Sequence, residues 1–202
     1  VMSAMQSEGL FERNQTVDIV GFSFGGRLAL AIAANSPDHI RKIVATGAPA
    51  DRRAMGRVIL RSWLSTLQAG NLKDFMWQSM FAGHSASFLS KHESKLEEWV
   101  NSAAGQNRCE AILALVRDTH TDDIDNPWHT LSLAQKASNN GLSPNNALFI
   151  SGQEDLLAVS EQCKILSQIG GWTCIDMPGA AHAVPLEKPE EWRDIVLSFL
   201  SQ

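Results

Sequence analysis

Four short apolar runs punctuate the chain, at residues 17–20, 42–46, 147–150 and 172–177, and their lengths suit buried strands. Between and after them, apolar positions recur at helical spacing. Residues 26–35 form one such segment, stopped by Pro37; 160–169 form a second, closed by Gly170 and Gly171; 189–200 form a third. In the last, Trp192, Ile195, Val196 and Phe199 fall at i, i+3, i+4 and i+7 and make one apolar face. Short strands alternating with helices predict an α/β domain built on a mostly parallel sheet with helices on both faces.

Residues 50–140 follow a different rhythm, with almost no two-residue alternation and many Trp, Phe, Met and Leu at three- and four-residue spacing. This stretch is expected to be a helical insertion, with helices over 61–67, 72–81, 91–103 and 108–117 broken by Gly70, Gly83 and Gly105. The expected division is therefore a core of 1–49 and 141–202 around an insertion of 50–140.

Composition narrows the function classes. With 44% hydrophobic and 19% charged residues the chain can bury a core, and 202 residues suit one ordinary domain. Seventeen Lys and Arg stand against 22 Asp and Glu, and no basic run offsets that balance, so nucleic acid is not an expected partner. The longest apolar run, residues 28–34, is far below the roughly 18 needed to cross a bilayer. Cys109, Cys163 and Cys174 contain no C-x-x-C pair; they read as small buried hydrophobes, without a disulfide framework or zinc site, in a reducing, cytoplasmic setting.

The chemistry begins after the first strand, where Gly21-Phe22-Ser23-Phe24-Gly25 matches G-x-S-x-G between an apolar strand and a helix. A sharp strand-to-helix turn would expose Ser23 Oγ, glycines at 21 and 25 would remove clashes, and the Phe24 N–H would be aimed at a developing oxyanion. A serine hydroxyl needs a base and a group to orient that base. Asp155, just after the third strand, and His182, just after the fourth, lie at strand C-termini, where catalytic groups gather in open α/β sheets. Glu154 is a rival for the acid, as is an acid after the preceding strand. His39, His84, His92, His120 and His129 read as surface or insertion residues. The cluster of His120, Asp122, Asp123, Asp125 and His129 reads as a solvated acidic loop rather than a metal site.

Taken together, GFSFGGRLAL, LFISGQED and MPGAAHAVPLEKPEEWRDIVLSFL resemble the nucleophile elbow, acid turn and histidine loop of the α/β-hydrolase superfamily, in its lidded, esterase-like branch. The resemblance implies a triad of Ser23, Asp155 and His182 and a lid over 50–140, in which Trp63 and Trp77 are candidate substrate-binding residues. It implies cleavage of a small to medium, fairly apolar carboxylic ester, thioester or lactone without cofactor or metal. Such proteins usually carry the elbow after the fifth of eight strands, yet about 20 residues precede Ser23 here. The sheet is therefore expected to be the C-terminal half of the family's, in a fragment of a longer hydrolase, with a missing N-terminal segment or a partner covering the apolar edge at 17–20. The rival reading is a truncated or degenerate relative that binds a ligand or protein without turnover.

Overall fold

The computed structural model describes residues 3, 7–9, 16–51, 53–119 and 128–202. Four parallel strands, β1 (Val17–Phe22), β2 (Ile40–Thr46), β3 (Ala147–Gly152) and β4 (Thr173–Met177), lie side by side in chain order. Around them are α1 (Phe24–Asn35), α2 (Ala54–Gln68), α3 (Leu72–Gly83), α4 (Ala86–Gln106), α5 (Cys109–Thr119), α6 (Thr130–Asn139), α7 (Ser160–Gly170), α8 (Val184–Glu187) and α9 (Pro189–Leu200). The α/β class with a parallel sheet is as expected. Each strand ends within two residues of its expected position: β1 and β3 run two residues longer at the C-terminal end, and β2 and β4 end where expected.

Successive residues of a strand point to opposite faces, and both faces are covered. Ile43 and Ala45 of β2, with Ala147 and Phe149 of β3, pack with Leu30, Ala33, Leu133, Ala137 and Leu166 from α1, α6 and α7. Val44, Leu148 and Ile150 face the other way, onto Val196 and Phe199 of α9. The alanines of α1 permit a close approach: a Cβ on Gly26 would stand 3.1 Å from Ala48 Cβ and 3.2 Å from Ala45 Cβ. β1 is the edge strand; among the described residues it pairs only with β2, and Val20 and Phe22 are exposed.

Helices α2–α5 gather around a cluster of their own, with Leu60, Leu67, Phe75, Met76, Val100 and Val116 at its centre. On α2, Leu60, Trp63, Leu64 and Leu67 form the i, i+3, i+4, i+7 stripe that drives this packing. α4 starts five residues earlier than its apolar spacing indicates because the Ser85 hydroxyl accepts the Phe88 N–H and caps it. α6 falls inside the 50–140 segment by sequence yet packs against α1 through Leu133, Ala134 and Ala137, in the cluster that contains the sheet.

The cysteine reading is corrected. Cys163 of α7 and Cys174 of β4 are joined as a disulfide, whereas Cys109 is free. The two are buried and partly buried neighbours brought together by α7 lying across the sheet, which spacing in the sequence does not reveal. No helix among the described residues is long and apolar enough to cross a membrane.

Candidate active site

β1 runs into α1 through a single residue held outside ordinary backbone space. Ser23 has φ 53° and ψ −115°, the one positive φ among the described non-glycine residues. Its N–H donates to Thr46 O at 2.7 Å, extending the β1–β2 pairing, while its carbonyl accepts from Gly26 and Arg27 to start the helix. Strain of this kind costs on the order of 1–3 kcal/mol and persists where the surroundings enforce it. One glycine permits it here: a Cβ on Gly21 would lie 2.2 Å from Gly25 O. The matching expectation for Gly25 is corrected, since a Cβ there meets nothing within 4 Å. The turn leaves the Phe24 N–H at the first helical position, without an intrahelical acceptor.

Asp155 is fixed by its own turn. Asp155 Oδ1 accepts from Leu157 N at 2.7 Å and Ala158 N at 2.8 Å, and its side chain is fully buried. Glu154, the rival, points outward and is exposed. Backbone bonds from Gln153 N to Met177 O and Glu154 N to Ala180 O tie this turn to the loop after β4. The tie is close enough that a Cβ on Gly152 would fall 2.1 Å from Ala181 O.

That second loop delivers His182. Its Nδ1 lies 2.8 Å from Asp155 Oδ2 and its Nε2 lies 2.8 Å from Ser23 Oγ. An ionised carboxylate only accepts, so Nδ1 carries the ring proton and Nε2 is left to accept the Ser23 hydroxyl. The structure thus brings together the three residues that the sequence separates by up to 159 positions. Phe22 packs on the imidazole with ring centroids 5.2 Å apart, and Gly47, at φ 65°, passes beneath it.

Ser23 and His182 open onto a cavity of about 360 Å³, walled mainly by apolar side chains of the core and of α2, α3 and α5. Trp63 is part of its wall and stands edge-on to Phe75. Trp77 is not, which corrects the expectation for that residue: the face of α3 that meets the cavity carries Phe75, Ser79 and Gly83, at four-residue intervals, and Trp77 lies round the helix, 37% exposed. His84 and His129 also line the cavity, and His129 is buried and accepts the Leu131 N–H as the cap of α6, so neither is a plain surface residue. Residues 120–127, which hold most of the acidic loop considered for a metal, lie outside the described residues.

Two contributors went unnoticed in the sequence. Glu187, inside the quoted histidine-loop motif, accepts Ala181 N through Oε1 at 3.0 Å and Ser85 N through Oε2 at 3.1 Å. With the bond from Ala183 N to Gly83 O, it joins the histidine loop to the α3–α4 junction. Arg27 lines the cavity from α1, buried, and burial pulls its guanidinium below the ordinary arginine range. A lone charge at the head of the apolar run 28–34 was the available signal.

A family model described as alpha/beta hydrolase fold matches residues 13–189. Among curated proteins, a 2-hydroxymuconate semialdehyde hydrolase of Pseudomonas putida is 26% identical over 190 residues, covering 93% of this chain and 63% of that protein. The chain therefore spans just under two-thirds of this relative's length. Among solved structures, MGS-M2, an alpha/beta hydrolase enzyme from a Medee basin deep-sea metagenome library, superposes with a TM-score of 0.81 at 22% identity, over 100% of this chain and 69% of that one. The esterase EaEST from Exiguobacterium antarcticum gives 0.73 at 16% identity, over 98% and 70%. At these identities the structural likeness speaks to the fold alone.

Proposed function

The chain belongs to the alpha/beta hydrolase fold family, and from that premise we propose that it is a serine hydrolase, cleaving a small to medium carboxylic ester, thioester or lactone through an acyl-enzyme. One observation carries the reading: the unbroken series from Ser23 Oγ through the His182 ring to the buried Asp155 carboxylate, both links 2.8 Å, at the mouth of an apolar cavity.

In this mechanism Asp155 holds the tautomer of His182 that can accept a proton at Nε2. As Ser23 Oγ attacks the carbonyl carbon, its proton passes to Nε2, and Asp155 stabilises the imidazolium that results. The Phe24 N–H donates to the oxyanion, an interaction whose loss typically costs about 10²- to 10³-fold in turnover. The imidazolium then gives its proton to the departing alcohol, thiol or lactone oxygen, leaving Ser23 acylated. A water molecule, deprotonated by the same nitrogen, attacks the acyl carbon and restores the serine. Residues 1–49 and 141–202 act as the core and helices α2–α5 of the 50–140 segment as a lid, with Trp63 bordering the acyl or alcohol group.

The test is capture by an aryl phosphonate followed by intact-mass analysis, on the chain and on Ser23→Ala. A single adduct on the chain, absent from the variant, supports the proposal. A folded sample that takes up no phosphonate favours the rival, a relative that binds without turnover. A second reading draws on the Pseudomonas putida relative: that the chain acts on a semialdehyde of the kind this relative's name gives. Faster consumption of 2-hydroxymuconate semialdehyde than of any aryl ester by phosphonate-reactive protein would put it first.

A further inference from the structure

We infer that Arg27 is the anchor for a carboxylate on the substrate, so that the preferred substrates are half-esters of short dicarboxylic acids. The inference rests on the hydrolase proposal and adds to it the substrate's charge.

Arg27 lies in the first turn of α1, where its N–H donates to the carbonyl of Ser23 at 3.4 Å, and both residues line the cavity. Helical side chains lean toward the N-terminus, here the Ser23 end. The residue is only 9% exposed and forms part of the cavity wall. Its Nε donates to Trp128 O at 2.6 Å, and among the described residues the two amino groups of the guanidinium have no acceptor.

Among the described residues no carboxylate pairs with it. The contrast with the surface is informative: Arg41 pairs with Asp18 and Arg193 with Asp194, both exposed arginines, while the buried one has no such counter-ion among the described residues. Asp51, the one carboxylate in the cavity wall among the described residues, makes no ion pair with it. A guanidinium keeps its proton even when desolvated, so its charge stays in the cavity wall and favours an anion there. Its planar fork matches a carboxylate through two parallel N–H···O bonds. Leu60, Trp63, Phe75 and Leu157 would face the methylenes between the two carbonyl groups. With Ser23 and Arg27 within the same turn and both in the cavity wall, a short spacer joins the two groups, on the scale of a glutarate or adipate half-ester.

The experiment compares 4-nitrophenyl hydrogen glutarate with its methyl ester, which has the same acyl chain without the charge. The value of kcat/KM is measured for each with the chain, Arg27→Lys, Arg27→Gln and Arg27→Met. The chain is expected to prefer the anionic ester by about tenfold or more, from the strength of hydrogen bonds between charged groups. Arg27→Met should erase that preference and Arg27→Lys keep part of it; Arg27→Gln, which retains an N–H for Trp128 O, decides the matter if Arg27→Met does not fold. A parallel calorimetric titration uses Ser23→Ala, with and without Arg27→Met, against monomethyl glutarate and dimethyl glutarate. Binding of the monoanion alone, lost with Arg27, would sustain the anchor even if Ser23 takes up no phosphonate and the hydrolase proposal fails. Three results would overturn it: no preference for the anion in the unmodified chain, a preference that survives Arg27→Met, or a parallel loss of both esters, which would make Arg27 a brace for Trp128.

Discussion

Gly47 offers a way to disturb the imidazole without touching any group that forms or breaks a bond. Its φ of 65° is one that an L side chain adopts at a cost of about 1–2 kcal/mol, so Gly47→Ala should lower Tm by about 2–8 °C in a chain of this size. A second effect comes from position. The added methyl would stand 3.1 Å from His182 Cε1 and 3.2 Å from Nδ1, where carbon contacts prefer about 3.5–4.0 Å. The ring must therefore yield by about half an ångström. Both hydrogen bonds of the ring, now 2.8 Å, would stretch toward the limit of effective proton transfer. A misplacement of 1 Å costs about 10²-fold in rate, so about tenfold slower turnover is expected. Gly171→Ala is the matched control, because Gly171 has φ 66° and a methyl there meets only Pro144, at 3.7 Å. Thermal unfolding, hydrolysis of 4-nitrophenyl acetate and the rate of phosphonate capture are measured on both. Equal losses of Tm with slow catalysis in Gly47→Ala alone is the expected pattern. Equal turnover in the two variants would refute the claim that the Gly47 backbone sets the position of the base.

Three further outcomes follow from other contacts. Asp155→Asn keeps an oxygen for the Leu157 and Ala158 N–H groups, so the turn should fold, but it presents an N–H to Nδ1; hydrolysis should fall about 10³- to 10⁴-fold with little change in Tm. Glu187→Gln supplies one carbonyl oxygen where two are used, and turnover should drop about three- to tenfold while a urea titration shows a loss of about 1 kcal/mol. Trp192→Phe removes the donor to Thr46 Oγ1, which is fully buried; urea unfolding should report a loss of about 1–2 kcal/mol with the aryl esterase rate unchanged.

Much of the architecture could be read in advance because parallel strands covered on both faces are continuous apolar runs, and the loops that follow them carry the unusual residues. The Ser23 turn was visible because its sterics demand a small residue at a fixed offset, although the demand falls on Gly21 rather than Gly25, and Gly26 serves the packing of α1 on β2 and the loop after it. Asp155 could not be separated from Glu154 by sequence, since only the turn closed by Leu157 and Ala158 decides which carboxylate faces inward. α6 was hidden because its buried face is mostly small, with Ala134 and Ala137 beside Leu133, and small residues give a weak periodic signal. The Cys163–Cys174 link and the two-way bond of Glu187 were unreadable for a common reason: each depends on which elements become neighbours, a property of packing rather than of local pattern.

Glu187 gives the molecule the character of an interlock. One carboxylate grips peptide groups on both sides of a seam, beside His182 on one bank and at the α3–α4 junction on the other, and Gly83 and His84 of that junction also wall the cavity. Any outward shift of that junction would pull, through this one carboxylate, on the peptide beside His182, so the width of the entrance and the aim of the imidazole are mechanically linked.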